Sequence, residues 1–136
     1  MTSVLRKHWL LLRLALLAWM ALILFLSSRS SLPGDSPPVA WMGQYQDEVG
    51  HLGEYGVLGM LAYLSLLPSL GRRGACVLSL VLGVAFSLGD EAFQSMIPNR
   101  TPQVTDLLLD AVGVTGGLVL LAVVGPGLKR YLRTPG

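Results

Sequence analysis

The chain has 136 residues, 52% of them hydrophobic and 13% charged, which is too apolar for a water-soluble surface and makes a lipid bilayer its expected solvent. The net charge of +2 is small, and no basic face is interleaved with aromatic residues, which argues against nucleic acid as a partner. A lone cysteine, Cys76, excludes an intramolecular disulfide and any multi-cysteine zinc or iron–sulfur site.

Four apolar stretches follow in chain order: Trp9 to Leu26, His51 to Leu70, Ala75 to Ile97 and Val104 to Val124. Each approaches the ~20 residues that cross ~30 Å of hydrocarbon. The first follows Arg6 and Lys7, but it exceeds a signal-peptide core of ~7 to 15 residues and no A-x-A site follows, so it reads as an uncleaved span. Residues 27 to 46, with Pro33, Gly34, Pro37, Pro38 and five serines, read as an outer loop. Gly71-Arg72-Arg73-Gly74 and Pro98-Asn99-Arg100-Thr101-Pro102 are connections short enough to require antiparallel neighbours, with Thr101 as N-cap and Pro102 as first residue of the last helix. The expected fold is therefore all-α: one transmembrane domain over residues 1–136, four helices in an up-down-up-down bundle.

Basic residues set the orientation. Arg6, Lys7, Arg72, Arg73, Lys129, Arg130 and Arg133 fall on one side of a four-pass chain, which becomes the cytoplasmic side and holds both termini. Arg13 can snorkel to the same face, leaving Arg29 and Arg100 outside. The acids do the reverse. Asp35, Asp47, Glu48, Glu54, Asp90, Glu91, Asp106 and Asp110 all belong to outer loops or outer helix halves, a segregation the orientation rule does not demand.

Within that layer the spacing is helical. Asp47, His51 and Tyr55 stand at i, i+4 and i+8 on one stripe; Asp90, Glu91 and Gln94 close the third span; Asp106, Asp110, Gly113 and Gly117 share one side of the fourth. Charges inside a leaflet cost about 2.5 to 3.5 kcal/mol each on insertion scales, so they are expected to face the protein and to be paired or wet. Gly113 and Gly117, with Gly53, Gly56 and Gly59, permit close helix approach or leave room for an acyl chain, and they could equally face a second subunit, so a homo-oligomer is open. Arg100, beside a helix N-terminus, forms a physical anion site suited to a head-group phosphate. Taken singly, Asp47 and Glu48 read as helix caps, Asp106 as a partner of the helix dipole, and Arg100 as a structural ion-pair partner. The convergence of ionisable groups from three helices at one depth is what those readings leave unexplained.

The blocks Asp47-x-x-x-His51-x-x-x-Tyr55, Asp90-Glu91-x-x-Gln94-x-x-x-Pro98-x-Arg100 and Asp106-x-x-x-Asp110-x-x-Gly113-x-x-x-Gly117 resemble the VanZ-like family, over about residues 47 to 117. The resemblance implies a small multi-pass protein of the bacterial cytoplasmic membrane. It implies a link to the cell envelope or to resistance against glycopeptides such as teicoplanin, and action on phosphate-bearing lipid head groups or polyprenyl carriers. His51, Glu91, Gln94, Arg100 and Asp106 fall on the family's polar signature. The chain departs from it at Glu48, where a lysine is frequent, and at Asp110, where an asparagine is frequent; both changes make the site more acidic. A divalent cation would help hold a phosphate in such a site.

Two functions follow as expectations. As an enzyme of the outer leaflet, the protein would cleave or exchange a phosphoester, with His51, Glu91 and Asp106 as the catalytic set: His51 the base or nucleophile, Glu91 or Asp106 its orienting carboxylate. Arg100, Gln94, Tyr55, Asp47 and Asp110 would bind the substrate, Arg100 as phosphate clamp. As a binding or interaction protein of the envelope, it would use the same layer without turnover. Proton or cation transport is disfavoured, because the inner halves of the last three spans, Met60 to Leu70, Ala75 to Leu88 and Val114 to Val124, carry no charge.

Overall fold

The computed structural model describes residues 3–28, 46–97 and 103–131, with side chains described over 8–28, 48–97 and 103–125. These residues form three helices: α1 (Ser3–Ser27), α2 (Gln46–Gln94) and α3 (Val104–Tyr131). Each contains a stretch long and apolar enough to cross a membrane, namely His8–Ser27, Glu48–Gln94 and Val104–Gly125.

The second and third spans of the sequence reading are thus one helical element. Inside α2, Gly71 departs from helical geometry, with φ 66° and ψ −178°, a region open to glycine and costly for a residue bearing Cβ. Arg72, Arg73 and Gly74, expected in a connecting loop, are already helical. One residue suffices to reverse the chain because φ and ψ at Gly71 turn the peptide plane without a side-chain clash. Pro68 lies just before it and lacks the N–H that would bond back one turn, which weakens the helix ahead of the reversal. The result is a hairpin with arms 46–70 and 72–94. Tyr55 and Asp90, ~52 Å apart on a straight helix, come within 3.4 Å.

Other boundaries shift as well. Ser27 and Gln46, assigned to the outer loop, are helical, ending α1 and starting α2; residues 29–45 lie outside the described residues. The second arm ends at Gln94 instead of Ile97, which brings Glu91 into its last turn and nearer the surface than expected. Thr101 and Pro102, read as cap and first helical residue, lie outside the described residues, and α3 starts at Val104.

α3 packs along α2 far more extensively than α1 does. Small residues make this possible. A Cβ on Gly113 would stand 2.8 Å from the Leu52 carbonyl oxygen, and one on Gly117 would overlap the Gly56 backbone, so the backbones touch here directly. Fully buried Val114 fills the space between the two arms: a Cβ on Gly59 would meet its carbonyl oxygen at 2.9 Å, and one on Gly83 its Cγ2 at 2.6 Å. Gly113 and Gly117 therefore serve packing within the chain. α1 is held by Ile23 in the core and by Trp19, whose Nε1 donates to the Glu54 carbonyl at 2.9 Å. Leu17, Val77 and Val123 are among the many large apolar side chains that point outward, as a hydrocarbon solvent permits.

Candidate functional site

Because α2 reverses at Gly71, its first and last turns lie at the same end of the molecule, and the N-terminal turns of α3 join them there. Three helix ends therefore bring His51, Asp90, Asp106 and Asp110 together, as their i, i+4 spacings require if those faces turn inward.

At the centre is His51. Its Nδ1 lies 2.8 Å from Asp110 Oδ1, and its Nε2 lies 3.9 Å from Asp106 Oδ2, beyond hydrogen-bonding distance. Asp110 is 1% exposed. Its second oxygen, Oδ2, accepts a short hydrogen bond from the Ser87 hydroxyl of the second arm. With both oxygens engaged, the carboxylate is fixed, and it in turn fixes the imidazole. When Nδ1 carries the hydrogen and donates to Asp110, Nε2 holds the lone pair and faces the Asp106 side.

A second knot surrounds Asp90, which is 2% exposed. Its Oδ2 accepts from Ser27 Oγ at 2.9 Å, from Gln94 Nε2 at 3.2 Å and from Tyr55 Oη at 3.4 Å, so α1 and both arms meet on one oxygen. Gln94 Nε2 also reaches Ser27 Oγ at 3.4 Å. Tyr55 joins the two knots: its ring stacks on His51 at 6.3 Å and 13°, and leans on Phe86 at 6.2 Å. Glu91 turns to α3, where its Oε2 accepts the Gln103 N–H at 3.1 Å just before the helix begins.

Of the residues singled out from the sequence, His51, Tyr55, Glu91, Gln94, Asp106 and Asp110 thus belong to one layer. The carboxylate on His51 Nδ1 is Asp110, expected from the sequence among the substrate-binding groups, whereas Asp106 faces Nε2 and Glu91 holds the start of α3. Arg100 and the Asp47 side chain lie outside the described residues. The spacing of charged residues alone singles out neither Ser27 nor Ser87 and gives Asp90 no role. Ser87 carried a signal, since Ser87, Asp90 and Gln94 stand at i, i+3 and i+7 on one helix face. Ser27 carried none, because its contact depends on how α1 is seated against α2. Among the described residues, no three His, Cys, Asp or Glu side chains converge to hold a metal ion.

The model of the VanZ/LLP1 family matches residues 12–125, which takes in parts of all three helices and extends the likeness read from the polar blocks to α1. Neither the curated proteins nor the solved structures yield a match.

Proposed function

The chain belongs to the VanZ/LLP1 family, and from that membership and the geometry of the polar layer we propose that it acts on phosphate-bearing lipid head groups or lipid carriers at the outer leaflet. In this reading the protein crosses the bacterial cytoplasmic membrane four times, by α1, the two arms of α2 and α3, with both termini inside. The arm 46–70, with 25 residues, spans ~37 Å, enough for one crossing, and Arg72 and Arg73 at the reversal are exposed, as a cytoplasmic turn requires. Thiol labelling in a Cys76→Ser background tests the topology: Arg72→Cys and Met96→Cys, both at exposed positions, should react from opposite sides.

The observation that carries the chemistry is the Ser87–Asp110–His51 chain, which ends at Nε2. A buried carboxylate that holds one imidazole nitrogen leaves the other as a directed base. As the oxygen of a water forms its bond to phosphorus, Nε2 takes a proton from that water; the ester P–O bond breaks, and its electron pair leaves with the head-group or carrier oxygen, which takes a proton from solvent. Asp106, near Nε2, stabilises the imidazolium formed. Asp110 is thus the orienting carboxylate, in the role the sequence reading gave to Glu91 or Asp106, and Arg100 remains the proposed phosphate clamp.

Comparative lipidomics, undecaprenyl carriers included, tests this reading in cells lacking the protein and complemented with wild type, His51→Ala or Asp110→Asn. A species that accumulates on deletion and is cleared by wild type alone is the expected result. Clearance by every variant would sink the enzymatic reading.

A further inference from the structure

Tyr55 is fully buried and leaves no surface exposed to a head group. What it touches lies on both sides of the polar layer. Its ring lies nearly parallel to that of His51, one helical turn earlier, with centroids 6.3 Å apart and 13° between the planes. Phe86 leans on the same ring, and the hydroxyl donates to Asp90 Oδ2 at 3.4 Å, both from the second arm. Asp90 is fixed in turn by Ser27, which covers it from α1, and by Gln94, one turn further along its own helix.

Packing alone would be served by phenylalanine at lower cost, since a hydroxyl and a carboxyl sealed among apolar helices are each expensive unless bonded. Geometry gives the pair a task. An imidazole turns about its last side-chain bond in a broad, twofold well, and the contact of His51 Nδ1 with Asp110 restrains it at one atom only. A flat ring laid against the imidazole restrains its plane as well, provided that ring is itself held. Asp90 holds it by the hydroxyl. Resting on the reading of His51 as the base, we infer that Tyr55 and Asp90 are positioning residues: Asp90 holds the phenol, the phenol holds the imidazole plane, and Nε2 is thereby kept towards the Asp106 side. Tyr55 then serves the site from within and does not bind the substrate.

The test is ring-nitrogen NMR of histidine in the full chain, held in micelles. The sequence has two histidines, and a His8→Gln background leaves the signals of His51 alone. At a pH high enough for a neutral imidazole, the two nitrogens report which of them carries the proton. Wild type should carry it on Nδ1. Tyr55→Phe, which keeps the ring and loses one oxygen, should raise the population protonated on Nε2 about tenfold, the factor that a hydrogen bond to a charged group contributes. Asp90→Asn should act in the same sense, and the double variant should go no further than Tyr55→Phe, because Asp90 acts through the phenol. Methyl signals of Val114, in the apolar core, should stay in place throughout, which separates positioning from a loosened core. An unmoved imidazole in Tyr55→Phe, equal displacement of His51 and Val114, or additive shifts in the double variant would each overturn the inference; Tyr55→Phe decides the matter even if Asp90→Asn does not fold. Lipidomics of cells complemented with Tyr55→Phe keeps the two failures apart. A species cleared by wild type, beside an unmoved imidazole, would overturn the positioning alone, whereas a deletion without effect on lipids, beside a displaced imidazole, would overturn the head-group reading and leave the positioning of His51 standing.

Discussion

One turn of α3 separates Asp110 from Val114, and both are buried almost completely against the two arms of α2, yet they are held by different physics. Val114 fits by shape, its methyl groups occupying space that Gly59 and Gly83 leave open. Asp110 fits by pairing, with one oxygen on His51 and the other on Ser87. An apolar contact loses energy in proportion to the atoms removed. A buried charge that loses one partner leaves the other uncompensated, so its loss is abrupt. The polar layer should therefore be brittle and the glycine-lined layer graded.

Substitutions can break that contrast. The largest effect should come from Asp110→Ala, which strands His51 and the Ser87 hydroxyl and should cost about 3 to 5 kcal/mol. Unfolding by SDS titration in micelles measures it, and Asp110→Asn, which keeps the shape, should recover part of the loss. If the alanine variant costs no more than an apolar truncation, the polar layer is not brittle. Gly117→Val is next: its side chain would enter the Gly56 backbone, an overpacking expected to cost at least ~1 to 3 kcal/mol and to separate α3 from α2. A folded variant of native stability would show that the helices approach less closely than described.

Val114→Ala sharpens the graded side of the contrast, with a loss of about 2 kcal/mol for two methyl groups and the cavity left behind. The smallest effect should be that of Ser27→Ala, about 1 kcal/mol, because Asp90 keeps Gln94 and Tyr55 as donors. Its signature should be local: faster hydrogen exchange at the end of α1, with α2 and α3 unchanged. A global loss instead would mean that α1 is integral to the layer and no mere cover.

The helices and the segregation of acids at one end were legible because both are properties of order along the chain. Apolar runs of spanning length need no partner to be recognised, and i, i+4 spacing assigns His51 and Tyr55, or Asp106 and Asp110, to common faces. The family resemblance was legible for the same reason, in three ordered blocks, and the family match over residues 12–125 bears it out.

Which residue answers which was not legible. Two carboxylates one turn apart are equivalent on a helix, so nothing in the order of residues says that Asp110 takes Nδ1 while Asp106 stands 3.9 Å from Nε2. That choice rests on how far α3 slides along α2, and the slide is set where Gly113 and Gly117 meet the backbone of Leu52 and Gly56. The same holds for Ser27, whose value lies in the seating of α1, and for Gly71, which replaced an expected four-residue connection with a single reversal. Sequence by itself determined the helices, their faces and the acidic end; tertiary structure decided the pairings, because a hydrogen bond depends on sub-ångström register between helices that periodicity leaves free.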